Sequence, residues 1–172
     1  MKIVIVEDRP WKLEKSIKEM RKKGMELYDL VYVCKNKDVP DELAKNNLKK
    51  LKENVGNLTI HKVDNEDFAQ KLKRFWDDPQ YFILCDFNLT GDNREYFEKR
   101  VNVIFANKIA DKKNGDIIPS QRMYFYTTAG ETTNAQINAA FPKRNISVTK
   151  MDKGQVILDF EEIEGAIRAC EK

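Results

Sequence analysis

The chain has 172 residues, with 41% hydrophobic side chains, 31 basic and 28 acidic residues, and a formal net charge of +3. This length suits one domain with a real hydrophobic core and is short for two. The charge excess is too small to imply nucleic acid by itself, and no apolar run approaches the roughly 18 to 20 residues that cross a bilayer.

The first segment, KIVIV (2–6), is β-branched and uninterrupted, the pattern of a strand buried on both faces. Only four consecutive apolar residues precede Glu7 and Asp8, so this start resembles neither a signal peptide nor an anchor, and a cytoplasmic location is expected. Pro10 suits the first turn of a helix. Trp11, Leu13, Ile17 and Met20 then recur at near-helical spacing until Gly24. LYDLVYV (27–33) reads as a second strand, and Pro40 opens a polar helix carrying Leu43, Leu48, Leu51 and Val55 and closing at Gly56.

The alternation continues with a strand at 58–63, a helix at 65–76 and a strand at 81–87. A long helix at 94–115 carries Phe97, Val101, Ile104, Phe105 and Ile109 on one face. A strand at 122–128, a helix at 131–141 closed by Pro142, a strand at 145–150 and a helix at 160–172 complete the chain. Strict strand-helix alternation predicts a single domain, 1–172, built as a doubly wound parallel α/β sheet with helices on both faces. The lysine-rich stretch 45–54 reads as a solvated helix face.

Cys34, Cys85 and Cys170 are odd in number and contain no CxxC pair, which argues against a disulfide framework or a structural zinc site. Cys34 and Cys85 sit in apolar runs and read as buried thiols. His61 is the only histidine, so a His ligand set is excluded, and its alternating surroundings make it a strand-face residue. Neither a GxGxxG turn nor a GxxxxGK[ST] loop is present, which argues against dinucleotide binding and P-loop hydrolysis.

Parallel strands share one carboxyl edge, and open α/β sheets bind ligands there. The strands end in Glu7 and Asp8, in Asp86, in Thr127 and Thr128, and in Lys150. Clustered carboxylates repel and call for a cation, and hard oxygen ligands suit Mg²⁺. A lysine and a threonine hydroxyl add the positive charge and hydrogen bond that a phosphoryl group requires. An aspartate at the centre can act as nucleophile. Taken singly, each feature also has a structural reading, since Glu7 and Asp8 could cap the following helix and Asp86 could cap a turn.

The set IVIVED, LCDFN, YTTA and SVTK resembles the receiver domain of two-component response regulators, and CDFNLTGDN is similar to the phosphorylation loop of chemotaxis-type receivers. The resemblance runs from Lys2 to about Ala169. It implies a flavodoxin-like fold of five core strands, with an added strand-helix unit at 27–56. It further implies Asp86 as phospho-acceptor, and a Mg²⁺ held by Glu7, Asp8, Asp86 and the main-chain carbonyl of Asn88. Thr128 and Lys150 would bind the phosphoryl group, with Thr127 and Lys153 as weaker candidates. The chain departs from the family pattern at Thr90 and Met151, where proline is usual, and at Ser147, where many receivers carry an aromatic.

The resemblance implies a phosphoryl acceptor and switch, with at most auto-dephosphorylation. Its partners would be a histidine kinase or phosphotransfer protein and a downstream protein, with neither direct nucleic-acid contact nor membrane contact and with a homodimer left open. With no room for an output domain after Lys172, the output is expected on a separate protein. Two alternatives stand beside it: a pseudo-receiver that binds a partner through 27–56 independently of phosphorylation, and a Mg²⁺-dependent phosphohydrolase. The hydrolase would need a general acid such as His61 or Asp92.

Overall fold

A computed structural model describes residues 1–34, 36–64, 68–86, 122–127 and 145–171. Six strands form one parallel sheet: β1 (Lys2–Glu7), β2 (Leu27–Val33), β3 (Thr59–Val63), β4 (Tyr81–Asp86), β5 (Met123–Thr127) and β6 (Asn145–Val148). Their order across the sheet is β3-β2-β1-β4-β5-β6, with every adjacent pair parallel. The chain therefore winds outward in one direction from β1 to β3, returns, and winds the other way from β4 to β6. This is a doubly wound, flavodoxin-like α/β architecture with an additional strand, and its topological switch point lies between β1 and β4.

The helices follow from the same patterning. Pro10 fixes the first turn of a 3₁₀ segment, Pro10–Leu13, which runs into α1 (Glu14–Lys22). Asp41 caps α2 (Glu42–Val55) by accepting from the Ala44 amide at 3.0 Å, and Gly56 ends the helix at φ +76°. α3 (Phe68–Asp77) connects β3 to β4, and α4 (Phe160–Cys170) is capped by Asp159, whose carboxylate accepts from the Glu162 amide at 3.1 Å.

Two cores form, one on each face of the sheet. On one face, Ile3, Ile5, Leu30, Phe82, Leu84, Tyr124 and Tyr126 pack under α1, α2 and α4. On the other, Val4, Val6, Val31, Val33, Ile83, Cys85 and Phe125 pack under Leu72 and Phe75 of α3. Ile3 to Val6 are at most 1% exposed, and each contributes roughly 1.5–3 kcal/mol by burial. That is why an unbroken apolar run, rather than an alternating one, marks the central strand.

The segment expected to be inserted at 27–56 contributes β2 and α2. β2 lies inside the sheet beside β1, and β3 occupies the margin. Leu43 is 72% exposed, because the inward face of α2 is formed by Ala44, Leu48, Leu51 and Val55. The strand expected at 145–150 ends at Val148. Lys150 instead starts an antiparallel hairpin, β7 (Lys150–Asp152) and β8 (Gln155–Ile157). Its turn places Lys153 at φ +48° and Gly154 at φ +78°, the left-handed pair that suits a two-residue hairpin. The helices expected at 94–115 and 131–141 lie outside the described residues.

Candidate functional site

The carboxyl ends of β1 and β4 bring Glu7, Asp8 and Asp86 together, each offering a carboxylate oxygen within 4.8 Å of the others. Register explains the arrangement. Val6 pairs with Cys85, so the next position sets Glu7 beside Asp86; Glu7 also pairs with Tyr32 on β2, and Asp86 with Tyr126 on β5. The row Tyr32, Glu7, Asp86, Tyr126 thus crosses four strands at the switch point, just above the apolar row Leu30, Ile5, Leu84, Tyr124.

Glu7 is 3% exposed and fully engaged. Its Oε1 accepts from the amides of Asp8 and Arg9, both at 2.9 Å, and its Oε2 accepts from the Tyr126 hydroxyl at 2.9 Å. Glu7 thus closes the turn after β1, whereas neither the 3₁₀ segment nor α1 carries a side-chain cap, so the helix-capping reading of Glu7 and Asp8 is not met. Burial pushes the Glu7 carboxyl well above its ordinary value, and the neighbouring Asp86 and Asp8 add to the effect. Burial likewise raises the Tyr126 hydroxyl well above its usual range, reinforced by Glu7 and Asp86, so Tyr126 stays protonated and donates.

Asp8 is placed differently. Its Oδ1 is buried and has no hydrogen-bond partner, although Arg9 Nε lies at 3.5 Å, an ion-pair distance outside hydrogen-bond geometry. A buried carboxylate oxygen without a donor is costly. The donor set fits a hard divalent cation: three carboxylates, one of them with an unsatisfied oxygen. Mg²⁺ binds oxygens at about 2.1 Å in octahedral geometry, so its ligand atoms stand roughly 3.0 to 4.2 Å apart, a spacing compatible with a cluster whose oxygens lie within 4.8 Å of one another. Asp8 would be the most direct ligand of such an ion, because both oxygens of Glu7 already accept protein hydrogen bonds.

Of the other residues expected at the site, Thr127 ends β5 and Lys150 is an exposed residue that opens β7. Lys153 is exposed in the hairpin turn. Asn88, Thr128 and Asp92 lie outside the described residues. Cys34 and Cys85 are buried thiols, as expected. His61 lies on the marginal strand β3, two strands from β1, with Nε2 3.1 Å from Asp29 Oδ2 but out of hydrogen-bond alignment.

Tyr126 escaped the sequence reading. The alternation in MYFYT puts Tyr124 and Tyr126 on one face, but only the β4–β5 register shows that the second hydroxyl reaches Glu7. Tyr32 was hidden in the same way. Its hydroxyl is raised to about 12, by burial first and then by Cys34, Asp41 and Asp8. Tyr32 also walls a cleft of about 1290 Å³ beside the carboxyl ends of β2 and β3, shared with Cys34, Val39, Pro40, Ala44 and Leu48. Val39 is 57% exposed there.

Comparison with protein-family models, curated proteins and solved structures returned no match to this chain. Among the described residues, no helix is long and apolar enough to cross a membrane.

Proposed function

We propose that this chain is a receiver-like signalling domain that accepts a phosphoryl group on Asp86 in the presence of Mg²⁺. The observation that carries the reading is the trio Glu7, Asp8 and Asp86, gathered within 4.8 Å at the switch point of a doubly wound sheet. Asp8 and Asp86, with the main-chain carbonyl of Asn88, would hold the ion, and Glu7 would complete its acidic surroundings. The bound ion would supply charge neutralisation for an incoming phosphoryl group.

In the group transfer, an Asp86 carboxylate oxygen bonds to phosphorus while the N–P bond of a phosphohistidine donor breaks, and the donor imidazole keeps the electron pair. Thr128 and Lys150 would receive the phosphoryl oxygens, with Thr127 and Lys153 as weaker candidates. The added charge would bias the loops at the carboxyl edge and so alter binding to a downstream protein. The donor would be a histidine kinase or a phosphotransfer protein.

The test is incubation with Mg²⁺ and beryllium fluoride, or with a small phosphodonor, compared with Asp86→Asn. A Mg²⁺-dependent conformational change or mass increase in the wild type alone is the expected result. Absence of both in the wild type overturns the reading.

One observation favours a second reading, a pseudo-receiver that binds its partner without phosphorylation. The cleft of about 1290 Å³ falls within 27–56 apart from Lys62, and Val39 and the neighbouring Leu43 are the exposed large apolar residues of this region. Partner capture that is unchanged by Asp86→Asn but lost on Leu43→Asp would support it. A hydrolase finds less support, because His61 sits at the sheet margin, away from the acidic trio.

A further inference from the structure

A second concavity, of about 520 Å³, lies between the marginal strand β3 and α3, and its chemistry is opposite to that of the acidic trio. Its described lining is His61, Lys62, Val63, Gln70, Lys71 and Arg74. The polar members are all hydrogen-bond donors or cations, and no carboxylate is among them. We infer that this concavity binds a small polyvalent phosphate, an oligophosphate chain or the oligophosphate end of a small molecule.

Local structure builds the site. Leu72 and Phe75 turn inward and are fully buried, so the neighbouring positions Gln70, Lys71 and Arg74, one helical turn apart, form the stripe facing the sheet margin. Phe75 is the pivot. The His61 ring meets it edge-on at 5.9 Å, the Arg74 guanidinium lies 5.9 Å from its centroid, and Tyr81 meets it edge-to-face at 5.1 Å. The His61 ring and the Arg74 guanidinium are therefore both held against one buried ring, rather than carried on unconstrained side chains.

Among the described residues, little nearby charge cancels them. Lys62 Nζ donates to the Lys37 carbonyl at 2.9 Å, so its contact there is with a neutral acceptor. Lys73, on the adjacent helix face, is paired with Asp77. Asp29 is 5% exposed, and its carboxylate stands 3.1 Å from the buried His61 Nε2. Among the described residues, no carboxylate pairs with Lys71 or Arg74. A volume of about 520 Å³ exceeds a single phosphate, and several clustered cations favour closely spaced anionic groups over an isolated one.

The test is isothermal titration of the full chain with sodium tripolyphosphate in metal-free buffer, so that the acidic trio cannot contribute through a bound cation. Citrate serves as the multivalent carboxylate control. One-to-one binding is expected, at least ten times tighter than for citrate, and at least ten times weaker in Arg74→Gln and in Lys71→Gln. Lys49→Gln, on exposed α2, should bind as the wild type does. Circular dichroism establishes that each variant is folded. Orthophosphate and a nucleoside triphosphate as further titrants separate the two sources: tripolyphosphate alone binding tightly identifies an inorganic chain, and tighter triphosphate binding identifies a small-molecule body. Equal binding of citrate and tripolyphosphate, or folded Arg74→Gln and Lys71→Gln proteins that bind as the wild type does, would overturn the proposal.

Discussion

The Tyr126 hydroxyl donates to Glu7 Oε2 at 2.9 Å across 119 positions of sequence, joining β5 to β1 over the intervening strand β4. Both residues are buried, so the bond has no water to replace it. Tyr126→Phe keeps the ring but leaves Glu7 Oε2 without this donor. The expected loss is about 1–3 kcal/mol, read as a lower midpoint in urea denaturation. An unchanged midpoint would mean that Glu7 is satisfied in another way.

The acidic trio also gives stability a pH dependence with a definite sign. Glu7 keeps its proton in the native state at pH values where the unfolded chain, with a carboxyl near 4.5, has released it. The folded state then binds more protons, so stability falls as pH rises from about 4.5 through the elevated native value of Glu7. Glu7→Gln should flatten that slope. Thermal melting between pH 5 and pH 8 compares the two proteins.

Mg²⁺ should act in the opposite direction. An ion at the trio requires deprotonated carboxylates, so binding expels the proton held by Glu7. The rise in melting temperature with saturating Mg²⁺ should therefore be larger at pH 8 than at pH 5. A rise of equal size at both pH values would place the ion elsewhere.

Asp86→Asn removes one of three crowded charges. In metal-free buffer this should leave the protein as stable as the wild type or more so, because repulsion within the trio falls. The same substitution should abolish the Mg²⁺-dependent gain in melting temperature. Stability and metal response thus move apart at this position, which a purely structural aspartate would not allow.

Ser16 is 1% exposed, and its hydroxyl donates to the Val156 carbonyl at 2.7 Å while accepting from the Leu158 amide at 3.2 Å. Ser16→Ala removes both contacts and leaves two main-chain groups to find other partners. A cost of about 1–3 kcal/mol is expected, together with faster amide exchange at Val156 and Leu158.

The strands of the sheet were legible in the sequence because burial on both faces leaves an unmistakable apolar run, as in KIVIV and YFILC. The carboxylates at their ends were legible because parallel strands share an edge, so chain order alone predicts which end-residues converge. Tyr126 and Tyr32 were not, since partnership across strands depends on register, which no local pattern reveals. The β7–β8 hairpin was hidden for another reason. Its strands are three residues each, too short to show a period, and only the Lys153–Gly154 turn marks it.

The hairpin is fastened to the helix that follows the acidic residues. Besides the two Ser16 bonds, Lys15 pairs with Asp152 at 2.5 Å, and Gln155 accepts from the Lys15 amide and donates to the Trp11 carbonyl, both at 3.2 Å. Lys150 stands at the base of this hairpin, opposite Ile157. The two segments are therefore tied together, with the turn at Lys153–Gly154 as the outer tip. A fluorescent reporter on Gly154 at that tip would sense any tilt of α1 without touching a single carboxylate.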